Sequence, residues 1–237
     1  MSRLRLDRLL SQATDLSRKQ AKIEIRKQRV SVDGQVVRDP ALLVEQDAPV
    51  EWRGEAVSLP GPLYLMMHKP AGLVCALRDD IHSTVVDLLP PALRQRVHIV
   101  GRLDRDTTGL LLLSDDGDWS HRITSPRHGC AKVYVAQLAD ELAEGAEQRF
   151  AEGMLLRNED KPTLPAELQR IAPRSARVTV HEGRYHLVRR LFAALGNRVT
   201  GLHRERIGGL QLDSALRPGQ WRELHPAEVD RVFERVD

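Results

Sequence analysis

Residues 101–114 read GRLDRDTTGLLLLS. A polar loop that sets Asp104 and Asp106 between Arg102 and Arg105 runs without a break into four leucines. A short, uninterrupted apolar run fits a strand buried on both faces. The loop is therefore delivered at the start of a core strand. Two readings of it compete. In one, the aspartates serve only a strand-leading turn, bonding nearby backbone or the neighbouring arginines. Alternatively, a carboxylate flanked by guanidinium groups is held ionised and positioned, as a nucleophile or base requires.

Outward from this stretch, YLMMH and VYVAQL read as further buried strands, and ARVTVHEG alternates like a strand of an open sheet. Helical patterns run through DELAEGAEQRFAEG, YHLVRRLFAALG and PAEVDRVFERV, with Gly196 as the C-terminal stop of the second. This is an α+β composition with a mostly antiparallel mixed sheet flanked by helices. LPGP at 59–62 interrupts regular structure and marks a joint. The expected organisation is a unit over 1–58, a linker over 59–62 and a main domain over 63–237.

In the first unit RLRLDRLLSQA reads as a short helix offering Leu4, Leu6, Leu9 and Leu10 to a core. Ser17 with Gln20 three residues on is a capping box for a second helix reaching about Gln28. At about 100° per residue, Arg18, Lys22, Arg26 and Arg29 share one quadrant of that helix, joined by Lys19. Such a stripe suits a run of phosphates. Asp33-Gly34 then predicts a hairpin turn between RVSV and QVV.

The 237 residues carry a net charge of only +3, but unevenly. Residues 1–30 hold nine Arg or Lys against three acids, and 174–206 hold eight Arg against Glu182 and Glu205. Asp140 to Glu167 is acidic. Two separated basic surfaces point to a polyanion, nucleic acid above all. No apolar stretch approaches the roughly 20 residues of a membrane span, and MSRLRLDRLL lacks the apolar region of a secretory signal, so a cytoplasmic protein without a membrane partner is expected. Cys75 and Cys130 form no CxxC pair, and His181, His186 and His203 form no metal-ligand pattern; neither a metal nor a disulfide framework is indicated. In HEGRYHLVRRLF, His186, Arg189 and Arg190 lie within about a turn of one another, which is either a solvated basic face or part of a site. A glycosidase, suggested by the paired carboxylates, needs one acid kept protonated, and an arginine-rich loop works against that.

Taken in order, KPAG, GRLDRDTTGLLLLSDDG, Lys132-Val133-Tyr134, EGRYHLVRRLF, LHRERIGGL and LRPGQWREL resemble the successive motifs of the bacterial pseudouridine synthases that act on ribosomal RNA. The N-terminal unit is similar to the S4 RNA-binding domain that precedes their catalytic domain, and WSHRITSPRHGCAKVY and GNRVTGLHRERIGGL look closest to the small-subunit members. The resemblance spans nearly the whole chain. It implies that Asp104 is the nucleophile, that Arg102 takes part in flipping the target uridine from the RNA stack, that Tyr134 lies against the flipped base, and that Arg189 pairs with Asp104. Asp106 becomes a loop-shaping residue. Two positions depart from the pattern: His68 stands where asparagine is common, and Leu187 where glutamine is.

The implied reaction breaks the N1–C1′ bond of a uridine, turns the uracil and joins C5 to C1′, an isomerisation with no cofactor. Attack of Asp104 at C1′, attack at C6, and a glycal route are all compatible with the residues. By resemblance the substrate is 16S ribosomal RNA, free or in a small-subunit assembly intermediate, at uridine 516; nothing demands more than a monomer. The alternatives are a non-catalytic S4-type RNA-binding or ribosome-assembly protein, and a synthase acting on another ribosomal uridine.

Overall fold

The computed structural model describes residues 3–234 and divides into two compact units, one ending at Gly61 and the other beginning at Pro62. In the first, β1 (Arg3–Arg5) leads into α1 (Leu6–Ala13), followed by α2 (Arg18–Arg26), β2 (Val30–Val32), β3 (Gln35–Val36), β4 (Leu43–Glu45), β5 (Val50–Trp52) and β6 (Glu55–Val57). The helix expected from Arg3 therefore starts three residues late. Arg3, Leu4 and Arg5 pair antiparallel with Glu45, Val44 and Leu43, and a strand partner from elsewhere in the chain overrides the local helical pattern. Ser17 and Gln20 form the capping box of α2, and Asp33-Gly34 turns between β2 and β3 with both residues at positive φ. Leu6, Leu9 and Leu10 of α1 meet Ala21 and Ile25 of α2 over Val30, Val44 and Val50.

A buried carboxylate ties α2 to β5 in this unit. Glu24 accepts from the Trp52 indole at 3.0 Å, from Arg53 Nε at 3.0 Å and from Arg29 Nη1 at 3.1 Å.

The second unit contains β7 (Tyr64–Lys69), α3 (Pro91–Arg94), β8 (His98–Val100), β9 (Thr108–Ser114), α4 (Gly117–Thr124), β10 (Lys132–Leu138), α5 (Ala146–Glu152), β11 (Glu167–Ala172), β12 (Ser175–Val180), α6 (Leu187–Ala194), β13 (Val199–Ile207), β14 (Leu210–Gln211), β15 (Trp221–Glu223) and α7 (Pro226–Arg231). One mixed sheet runs β11-β12-β10-β13-β9-β7-β15, with β8 also on β9 and β14 on β13. All its pairings are antiparallel except β13 with β9. β9 is covered on both faces: Leu110 and Leu112 enter one core cluster, Leu111 and Leu113 another. That double cover is why its sequence is continuously apolar instead of alternating.

Two helices are shorter than their sequence patterns. Gly145, at φ 75°, precedes α5, so residues 140–145 are not helical. The pattern expected to 236 yields α7 only over Pro226–Arg231, and residues 235–236 lie outside the described part. Among the described residues no helix is long and apolar enough to cross a membrane.

The Glu24 cluster makes a pH prediction. The Trp52 hydrogen bond lowers its carboxyl most; burial opposes, and Arg53 and Arg29 reinforce, leaving it at about 2 against an ordinary 4.5. A depressed folded-state value means stability fully present above the ordinary value and lost as pH falls toward the folded one. Melting temperature followed from pH 4.5 down to 2 should fall less steeply in Glu24→Gln than in the natural protein.

Candidate active site

The 101–107 loop is anchored through its apolar residue. Leu103 is buried in the core with its amide donating to Cys75 Sγ at 3.4 Å, and Arg102 and Asp104 flank it. Both line a cleft of about 90 Å³ together with Thr107, Tyr134, Arg184 and His186. Arg102 is exposed. Asp104 stands 3.4 Å from His186 Nε2 and 3.7 Å from Arg189 Nε. Arg189 makes its shorter contact, 2.9 Å, with the exposed Asp106. It thus spans both carboxylates of the loop.

The helix α6 supplies this pair from one end. Leu187, Val188, Leu191 and Phe192 fill the core, which leaves Arg189 on the flank. His186, immediately before the helix, adopts φ 50°, an unfavourable region for a residue with a side chain. Leu187 packs inward and also lines the cleft, so an apolar residue serves where the resemblance led one to expect an amide. His68 is held by the Leu216 carbonyl at 2.8 Å. Arg190 turns from the cleft to Glu159 at 2.8 Å.

Two buried cations hold the loop from beneath. Lys69 continues the inward row of Leu63, Leu65 and Met67 and is fully buried. Its ammonium donates to the carbonyls of Pro70 at 3.0 Å, Arg105 at 3.1 Å and Thr107 at 2.8 Å. Arg204 of β13, 2% exposed, donates to Leu110 O at 2.8 Å, Gly101 O at 3.1 Å and the Tyr134 hydroxyl at 3.4 Å. The loop is therefore gripped at its start by Arg204 and at its end by Lys69. Burial pushes the Lys69 ammonium below its ordinary range, against the pull of Cys75, Asp106 and Asp104. Tyr134, half-buried on β10, is fixed by Arg204, whose guanidinium lies 5.9 Å from the ring centre. The buried hydroxyl of Thr107 has no protein partner.

The cleft thus offers a positioned carboxylate, an exposed guanidinium and an aromatic ring. A model of the RNA pseudouridylate synthase family matches residues 63–194, and one of the S4 domain matches 4–50. The chain belongs to the RNA pseudouridylate synthase family. It is 46% identical to the ribosomal small subunit pseudouridine synthase A of Vibrio cholerae, over 98% of this chain and all of that protein. Identity to the protein of the same name from Escherichia coli K12 is also 46%, over 97% of this chain and all of the relative. A crystal structure of a pseudouridylate synthase, 42% identical, superposes with a TM-score of 0.71 over 97% of this chain and 99% of its own.

In this synthase several cations of the expected basic surfaces pair with acids while staying about half exposed. Arg18 and Lys22 turn to the buried Asp7 at 3.3 and 3.8 Å, and Arg29, which lies beyond α2, pairs with Glu24. Lys19 and Arg26 are exposed without a recorded partner. In the second basic region Arg177 pairs with Glu205, Arg184 with Glu182 and Glu159, and Arg204 is buried. Sequence reasoning passed over Lys69 and Arg204. A lysine in phase with the apolar row of β7 is nevertheless a legible signal.

The parallel junction of β9 and β13 sets the loop's departure, and Gly109 makes it close. Its φ is 106°, and a Cβ there would run into the carbonyl of Arg204. Gly109→Ala should destabilise the protein by about 3 kcal/mol or prevent folding, as measured by urea denaturation.

Proposed function

We propose that the protein isomerises a single uridine of 16S small-subunit ribosomal RNA, uridine 516, with Asp104 as nucleophile. The observation that carries this reading is the cleft in which Asp104 lies beside His186 and Arg189 and shares its walls with Arg102 and Tyr134. The names of the relatives at 46% identity support the small-subunit substrate.

The chemistry assigns the residues. A uridine inside the RNA must leave its stack, at a cost of a few kcal/mol. Arg102, exposed at the cleft, enters the space the base vacates, and Tyr134 packs against the uracil. Arg189 and His186 orient the Asp104 carboxylate. Asp104 promotes cleavage of N1–C1′; the uracil turns, C5 bonds to C1′, the C5 proton leaves to a base, and N1 takes up a proton. Atoms are conserved, so neither cofactor nor energy source enters. Residues 1–58 act as the RNA-binding module, joined through 59–62 to the catalytic domain over 63–237, in a cytoplasmic monomer. Within the first module Lys19 and Arg26 contact phosphate, whereas Arg18, Lys22 and Arg29 chiefly brace the fold.

Incubation with unmodified 16S RNA, with and without ribosomal proteins, followed by carbodiimide modification and primer extension, tests the reading. One new stop is expected, absent with Asp104→Asn, while that variant keeps nearly full RNA affinity. Substantial turnover by Asp104→Asn would remove the nucleophile assignment; no stop on any form of the RNA would favour the assembly-factor reading.

Replacing Lys19 and Arg26 together by alanine should weaken RNA binding and reduce the slope of log affinity against log salt by about 0.7 per lost phosphate contact on a single strand. An unchanged slope assigns both side chains to ordinary solvated surface.

A further inference from the structure

The chain has nine aromatic residues, all within the described part. Tyr185 alone is exposed, at 72% of its surface. It does not hang loose. Its ring stacks on the His186 imidazole with centroids 3.8 Å apart and planes inclined by 17°. His186 is anchored in turn by its contact with Asp104 at 3.4 Å and by its position in the cleft wall. The positive φ of His186 is a conformation that persists only where surrounding contacts enforce it. One face of the Tyr185 ring is thus fixed against the active site, and the other is open to solvent.

We propose that this open face is a stacking platform for the nucleobase adjacent to the target uridine. The inference rests on the RNA isomerase reading above and names a further contact at that site. When the target base leaves its stack, its neighbour loses a stacking partner. An aromatic ring beside the cleft replaces it, because every base has a π-face whatever its sequence. The His186 stack also keeps the tyrosine from spending rotamer entropy on binding, since the ring is already placed. Tyr185 is therefore a binding residue for the strand around the target and has no part in bond breaking.

The test uses the RNA fragment spanning the uridine that the mapping experiment identifies, with 2-aminopurine at the nucleotide 5′ or 3′ to it. Binding to Asp104→Asn should quench the fluorophore at one of the two positions. That quenching should be lost in Asp104→Asn/Tyr185→Ala and kept in Asp104→Asn/Tyr185→Phe. In the active protein Tyr185→Ala should raise KM about tenfold, change kcat by a smaller factor, and leave the melting temperature unaltered. Tyr185→Leu, which still covers His186 but has no π-face, should behave like Tyr185→Ala. Equal quenching with and without the tyrosine ring, or a loss confined to kcat, overturns the platform while leaving the isomerase reading intact. Failure of the natural protein to modify any uridine overturns the isomerase reading, and the platform with it.

Discussion

The site depends on two buried cations that touch no carboxylate. Lys69 and Arg204 together donate to the carbonyls of Gly101, Arg105 and Thr107, the backbone on either side of Asp104. Removing a charge from water costs several kcal/mol, roughly, unless polar groups replace the lost hydration. Here carbonyl dipoles do so, and a carbonyl bonded to a buried cation cannot readily turn to water. Position is bought at the expense of stability. Among the described residues no acid contacts either cation, and the Lys69 ammonium feels Asp106 and Asp104 only across the loop.

The sheet brings these parts together from distant stretches of chain. β7 ends in Lys69, β9 begins at the loop, β10 carries Tyr134, β13 carries Arg204, and α6 follows His186. β13 is the hinge of this arrangement, since it pairs antiparallel with β10 and parallel with β9. Arg204 lies opposite Tyr134 on one side and Gly109 on the other, which is why one guanidinium can bond Tyr134, the loop's first carbonyl and the strand behind it. A side chain at Gly109 would separate the two strands at that point.

Charge counting along the chain gave the right class of partner but not how the cations are paired. Eight arginines between 174 and 206 look like a basic face, yet Arg177, Arg184, Arg189 and Arg190 each meet an acid. Several of those acids are far away in sequence: Glu159 binds both Arg184 and Arg190 from the acidic stretch 140–167. The same holds for Arg18 and Lys22, whose partner Asp7 sits on the preceding helix. Arg18, Lys22 and Arg177 keep about half of their side chains exposed in these pairs, and exposed ion pairs of this kind contribute little to stability.

The sequence alone determined the strands at 108–114 and 132–138, the capping box at Ser17, the turn at Asp33-Gly34 and the GRLD loop ahead of a buried strand, because each is a local pattern with a local cause: periodicity, a cap, a positive-φ dipeptide. Family motifs, also local, singled out Asp104, Arg102, Tyr134 and Arg189. Only the tertiary structure decided that Arg3–Arg5 is a strand, that Lys69 and Arg204 brace the loop, that Arg189 divides itself between Asp104 and Asp106, and that Tyr185 stands alone as the exposed ring. Each of these is settled by a partner dozens of residues away or, for Tyr185, by which atoms are left uncovered once the rest has packed. Neither pairing at a distance nor residual exposure is written in any short window of residues.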